Sequence, residues 1–290
     1  MTALVAAIPP PPDNSFDLGP LTVHYYGIAV AIGVLLAITI LRRGYVARGG
    51  SPDLADKVAL WGVGMGFVGA RVAYVAPRME WFGGRFSLSR PLELIAVWEG
   101  GIAFYGGLTF GLVAILLVLR RSGGNIPAFM DAIAPAVPVG QAFGRLGNYF
   151  NQELFGTHTT VPWALEIAAP DGSVIDTVHP TFLYEMLGNG ILALLLWRLG
   201  KQRVFPMGSL AFLYAIGYGL LRFLLEFIRT DERAFTVGLT ANGWVSVGII
   251  TAGVVGFLIW NNRAGRTSTS PKGAASDPDK DEGSASGAQD

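Results

Sequence analysis

Apolar residues run along this chain in seven long blocks, at roughly 21–41, 56–76, 95–119, 129–150, 181–199, 207–228 and 241–261. At a rise of about 1.5 Å per residue, blocks of this length cross a hydrocarbon core as helices. The fourth carries Pro135 and Pro138 and predicts a kinked or broken helix, which a membrane protein tolerates where neighbours re-satisfy the freed carbonyls. Two connections on one side are less plain. Residues 159–178 alternate in TTVPWALEI, turn at Pro170, Asp171 and Gly172, and resume in SVIDTV, which predicts a small β-hairpin. Residues 77–94 set Trp81, Phe82 and Phe86 among arginines, the composition of an arm lying at the headgroups or of an ordinary aromatic belt. The expected fold is an all-α integral membrane protein of about seven transmembrane helices with a small extracytoplasmic arm and β-hairpin.

Composition agrees with lipid as the solvent: 51% of residues are hydrophobic, 14% are charged and the mean hydropathy is +0.46. With a net charge of +0 and no dense basic block, nucleic acid is not an expected partner. The chain has no cysteine, so any thiol chemistry must use a partner's thiol. Its three histidines have no metal-ligand spacing, so no metal or cofactor is expected.

Position gives the charges their meaning. Arg42, Arg43, Arg48, Lys57, Arg120, Arg121, Arg198, Lys201, Arg203, Arg263, Arg266, Lys272 and Lys280 fall on one side of the seven spans. Arg78, Arg85, Arg90, Arg145, Arg229 and Arg233 fall on the other, and Arg71 and Arg222 lie within spans. Thirteen against six puts the N-terminus outside and the C-terminus in the cytoplasm. The opening MTALVAAIPPPPDNSF lacks a positive n-region and breaks at four prolines, so residues 1–20 read as an extracytoplasmic tail. Residues 21–262 form the expected seven-helix transmembrane domain, and the polar 263–290 stretch reads as a disordered cytoplasmic tail.

Candidate chemistry lies where lipid should forbid it. Tyr218, Arg222 and Glu226 recur at i, i+4 and i+8 of the sixth block, with Arg229 three further on, so one helical face carries all four. Each charge at mid-bilayer costs about 3 kcal/mol on insertion scales, so that face needs partners or ligands. Read alone, an Arg222–Glu226 pair would only lock helices together. It has company in GQAFGRLGNYFNQELFG, where Gln141, Arg145, Asn148, Asn151, Gln152 and Glu153 stand among glycines. Amides and a guanidinium offer converging donors for a phosphate or carboxylate. The glycine runs at 62–69 and 106–111 are helix-packing surfaces, since no Lys-Ser or Lys-Thr follows to make a phosphate loop.

The run from Gly144 to Gly156, GRLGNYFNQELFG, resembles the signature of bacterial prolipoprotein diacylglyceryl transferases. HPTFLYE at His179–Glu185, YGLLRFLLEFIR at Tyr218–Arg229 and HYYG at His24–Gly27 support it in order, over about residues 18–260. The resemblance implies transfer of the diacylglyceryl group of phosphatidylglycerol to the lipobox cysteine in the signal peptide of a prolipoprotein, forming a thioether and releasing glycerol phosphate. By the same resemblance, Arg145 and Arg222 take the phosphate, Asn148 and Glu153 orient Arg145 or the headgroup, Glu226 and Tyr218 hold Arg222, and Tyr26 and His179 contact substrate. Membrane lipid is both solvent and partner.

One position departs from the family. Many members have a histidine before the Gly-Gly of the third span, proposed to activate the thiol, whereas this chain reads GGIAFYGG with Tyr105. A phenol is a poor proton acceptor at neutral pH, so Tyr105 is expected to position the thiol or phosphate while a histidine, water or the leaving phosphate takes the proton. A lipid or anion transporter and a catalytically silent scaffold remain open alternatives, the second on the strength of Tyr105.

Overall fold

The structure, a computed structural model, describes residues 7–19, 21–97, 100–169, 171–230, 235–236 and 238–268. Seven helical spans long and apolar enough to cross a membrane occur among them. Strands Ser15–Leu18 (β1) and Leu21–His24 (β2) pair antiparallel and lead into helix Tyr25–Val46 (α1). The first span therefore starts at 25 rather than 21, because residues 21–24 spend their backbone groups on a ladder. Ser51 caps the next helix, Pro52–Val75 (α2), its hydroxyl accepting from the Leu54 N–H, with Pro52 in the first turn where no N–H is missed.

After α2 come two single 3-10 turns, at Ala76–Arg78 and Glu80–Phe82, then a short helix, Pro91–Ile95 (α3). Trp81 and Phe82 are exposed here, whereas Phe86 is buried against Val75 and Met79. The third span, Phe104–Arg121 (α4), begins nine residues later than the hydropathy predicts. Gly100 and Gly101 take φ of 82° and 78°, a conformation no helix contains. Their carbonyls are met by Arg71, which is 8% exposed within α2. Its guanidinium donates to the carbonyls of Glu93 at 2.6 Å, Leu94 at 2.8 Å, Gly100 at 2.7 Å and Gly101 at 2.9 Å. Irregular backbone beside a bilayer survives only where protein satisfies it, and here one side chain does so.

The α2 and α4 helices pack backbone to backbone: a methyl added at Gly69 would stand 2.5 Å from the Gly106 carbonyl oxygen, and one at Gly106 would stand 2.4 Å from that of Gly69. The fourth span is broken as its prolines predict, into Ile126–Ile133 (α5) and Ala136–Asn151 (α6), with Pro135 at the junction. Strands Leu165–Ala168 (β3) and Val174–Val178 (β4) form the expected hairpin, and Ile8 adds to the β3 edge through bonds with Ala164 and Glu166. Helices Thr181–Gln202 (α7), Ser209–Glu226 (α8) and Ala241–Ser268 (α9) complete the bundle, α9 entered through the small pair Phe235–Thr236 (β5) and Leu239–Thr240 (β6). The polar C-terminal stretch lies outside the described residues from 269 on.

Helix α6 is central, packing against α1 on one side and α7 on the other, while α8 pairs with α9 and α7. The order of the spans places the start of α1, the end of α6, the start of α7 and the end of α8 at one membrane face.

Arg71→Met should lower stability by about 3 kcal/mol, because four carbonyls of an irregular, partly buried segment lose their shared donor together. Arg71→Lys should recover less than half of it, since an ammonium cannot span the fork. Thermal unfolding in detergent measures both.

Candidate active site

The polar residues of α6, α7 and α8 meet at that shared face around Glu185. Glu185 sits in the first turns of α7, 1% exposed, with Arg145 Nε 2.9 Å from Oε1 and Arg229 Nη1 3.9 Å from Oε2. The Arg145 contact is close without being aligned as a hydrogen bond, so it is an ion pair rather than a fork. A carboxylate this deep requires cations, and two elements supply one each. Arg145 Nη1 also donates to Asn148 Oδ1 at 3.1 Å, and Asn148 passes the connection on, its Nδ2 donating to Glu153 Oε1 at 2.7 Å. Asn151 reaches the same oxygen at 3.3 Å.

On α8, Tyr218 lies within hydrogen-bonding reach of Arg145 and within range of the charges on Glu185 and Arg222. Its ring stacks on Tyr214 at 5.8 Å, and the Tyr214 hydroxyl donates to Gln141 Oε1 at 3.1 Å. One turn on, Arg222 Nη1 is 3.2 Å from Glu226 Oε2, and Thr240 donates to the other Glu226 oxygen at 2.7 Å. The i, i+4, i+8 face of α8 thus meets α6 and α7 at Tyr218 and the end of β6, where α9 begins, at Glu226.

Tyr26 comes in from α1, half-buried and within electrostatic range of Glu153 and Arg145. Its ring lies on Gly147, where a methyl would stand 2.4 Å from Cδ2, so a glycine there is what lets α1 close on α6. The backbone leaving α6 is shaped for the same end. Gln152 and Leu154 both take left-handed φ, 48° and 56°, costing of order 1 kcal/mol each. Gln152 Oε1 accepts from the Ala168 N–H at 2.8 Å, and the Leu154 carbonyl accepts from Thr181 Oγ1. Gly156 then lies between His179 and Arg229, its N–H donating to the His179 carbonyl at 3.0 Å.

Arg145, Asn148 and Glu153 therefore form one hydrogen-bonded chain, with Tyr26 and Tyr218 beside it and the Arg222–Glu226 pair one turn beyond Tyr218 on α8. Two other candidates stand apart from it. His179 is half-buried at the start of α7, its Nδ1 3.2 Å from the Tyr184 hydroxyl, which accepts from Trp163 Nε1 at 2.8 Å. Tyr105 is 70% exposed at the start of α4, its ring against Phe104 at 5.4 Å. His158 is engaged on the hairpin, its Nδ1–H 2.6 Å from Asp176 Oδ1, and this bond holds the Asp176 carboxyl below the usual range.

Asn189, missed in the sequence, is 0% exposed one turn beyond Glu185, and neither its amide nitrogen nor its oxygen has a hydrogen-bond partner among the described residues. Buried amides are rarely left so. Its only sequence signal is the i, i+4 spacing from Glu185, together with an asparagine inside an apolar block.

A seven-span bundle with an arginine–carboxylate–amide centre at one membrane face defines a multi-pass membrane protein with its charge gathered between helices. The chain belongs to the prolipoprotein diacylglyceryl transferase family, whose profile matches residues 13–260. It is similar to the phosphatidylglycerol--prolipoprotein diacylglyceryl transferase of Corynebacterium efficiens, 38% identical over 275 residues, covering 88% of this chain and 83% of that one. Transferase 2 of Streptomyces coelicolor is 40% identical over 263 residues (88% and 81%), and the Corynebacterium diphtheriae transferase is 38% identical over 287 (92% and 98%).

Two substitutions separate framework from ligand site. Glu185→Gln should cost about 3 kcal/mol of stability by leaving two buried guanidiniums short of charge. Asn189→Leu should be neutral or slightly stabilising in unfolding, because an unpaired amide is replaced by an apolar group of similar shape.

Proposed function

We propose that the chain transfers the diacylglyceryl group of phosphatidylglycerol to the lipobox cysteine thiol of a prolipoprotein signal peptide, the first step of bacterial lipoprotein maturation. The observation that carries the reading is the gathering of Arg145, Arg229 and Glu185 beside Tyr218 at one membrane face, with the Arg222–Glu226 pair one turn further along α8, in a chain of this family. Both substrates reach such a centre from lipid, one as a bilayer component and the other as a hydrophobic signal segment.

The thiolate sulfur attacks the glycerol methylene carbon bearing the phosphate. The S–C bond forms as the C–O bond to phosphate breaks, glycerol phosphate departs with the electron pair, and the thiol proton ends on the phosphate or in solvent. Negative charge grows on the leaving oxygens, where guanidiniums in a low-dielectric site act most strongly. Arg145 and Arg222 fill that role. Asn148 and Glu153 fix the Arg145 fork and the free glycerol end, Glu226 orients Arg222, and Tyr218 spaces the two arginines. Tyr26 closes the site from α1, and His179 contacts the incoming peptide. Tyr105 positions the thiol from α4, a role its exposed ring takes up against substrate. The centre faces the outside of the cell, with the N-terminus on that side and the C-terminus in the cytoplasm, a reading supported by the excess of Lys and Arg in the connections of the opposite face.

Purified protein with phosphatidylglycerol and a lipobox peptide should add the mass of one diacylglyceryl unit to the peptide's cysteine. The Cys→Ala peptide should gain nothing, and Arg145→Ala should slow transfer by about 10²- to 10³-fold. Full transfer by Arg145→Ala would sink the phosphate assignment; full activity in Tyr105→Phe would remove that residue's role.

The absence of native cysteine makes topology directly readable. Asp171→Cys in the hairpin turn should react with an impermeant maleimide on intact cells, and Gln202→Cys should react only after permeabilisation. The reverse pattern would invert the orientation.

A further inference from the structure

A cavity of about 630 Å³ opens at the membrane face opposite the polar centre, where α1 and α7 end. Both helices pack on α6 and part from one another here, and Pro135 and Val139 close the back of the cleft. Its inner wall is apolar, formed by Ile40, Val139, Ala193 and Leu194, and its rim is basic, with Arg43 and Arg48 from the α1 side and Lys201 and Arg203 from the α7 side.

The charges are unbalanced. Asp131 is the one carboxylate paired with this rim among the described residues, and its contact with Arg48 is long, Nε to Oδ2 at 3.8 Å. Its other oxygen is committed to the Leu210 N–H at 3.0 Å. Arg203 caps α7 with a left-handed φ of 50°, costly for a non-glycine residue, and its charge repels that of Arg48. Burial pulls the Arg48 pKa down, Asp131 pushes it up, and Arg203 pulls it down again. Gly200 lets the Arg48 guanidinium lie in the cleft, where a methyl would stand 2.7 Å from Nη2. A smaller recess of about 110 Å³ shares Arg48, Gly200 and Arg203 with it and runs toward Asp131. Two arginines brought together by strained backbone, with one loosely held acid, are complementary to an added anion.

We propose that this cleft binds an anionic glycerophospholipid at the face opposite the transfer centre, with its phosphate between Arg48 and Arg203 and an acyl chain along Ile40, Val139 and Leu194. A soluble anion has no use for the apolar wall, and a neutral lipid has none for the basic rim. Lys201 already lies 3.9 Å over the Trp197 ring at the mouth, which places both at headgroup level. Basic pockets between helices at a membrane face are a general solution for acidic headgroups.

Native mass spectrometry of the full chain in detergent, titrated with phosphatidylglycerol or phosphatidylcholine, tests this. Wild-type protein should retain one more phosphatidylglycerol than Lys201→Ala/Arg203→Ala, whose apparent affinity for that lipid should fall about twentyfold. Arg203→Lys should retain it. Both altered side chains are exposed, so the double variant should unfold at the wild-type temperature. Equal lipid retention by wild type and double variant, or equal retention of phosphatidylcholine by wild type, would overturn the proposal. Neither result depends on turnover, so failure of the transferase reading would be seen separately, in the peptide assay.

Discussion

The structure turns on a buried carboxylate. Glu185 is placed by α7 where neither water nor lipid can solvate it, and Arg145 of α6 and Arg229 beyond α8 supply the opposing charge. Once those guanidiniums are committed to the interior, their remaining donors organise what surrounds them. Arg145 holds Asn148, Asn148 holds Glu153, and Tyr218 extends the contact toward Arg222. Three helices are joined by charge at one membrane face, and it is to these same charges that the proposed function assigns the phosphate of the lipid. Framework and chemistry share atoms, so the site is rigid for the reason that it is charged.

The same rule, that no polar group is left to hydrocarbon, explains the irregular parts. The chain between α3 and α4 is not helical, and Arg71 meets its carbonyls one by one. The turn out of α6 is strained at Gln152 and Leu154, and side chains of Gln152 and Thr181 tie it to the hairpin and to α7. The break at Pro135 leaves the α6 segment free to tilt between α1 and α7, closing on Tyr26 at one face and helping to open a cleft at the other. One bundle thus presents a charged centre with carboxylates woven through it at one face, and at the other a basic-rimmed cleft with a single weakly held acid.

Much of the candidate site was readable in the chain because helical spacing is local. Tyr218, Arg222 and Glu226 had to share a face whatever they packed against, and Arg145, Asn148 and Glu153 were close enough in sequence to meet. What could not be read was partnership across helices. Arg71 looked like one more arginine in a span until the carbonyls of residues 93–101 came round to it. Asn189 drew no notice, and Glu185 figured only as the end of the HPTFLYE run rather than as the centre. Tyr218, expected to serve Arg222, lies equally with Arg145.

Hydropathy, proline and motif order act over short stretches or in linear register, and they were enough to read seven membrane spans, the broken fourth helix, the hairpin and the family from the chain alone. Tertiary structure decided where α4 begins, which acid neutralises which arginine, and how far α1 and α7 separate. Those are questions of solvation: a charge or carbonyl is stable at depth only against a particular neighbour, and that neighbour is tens of residues away along the chain.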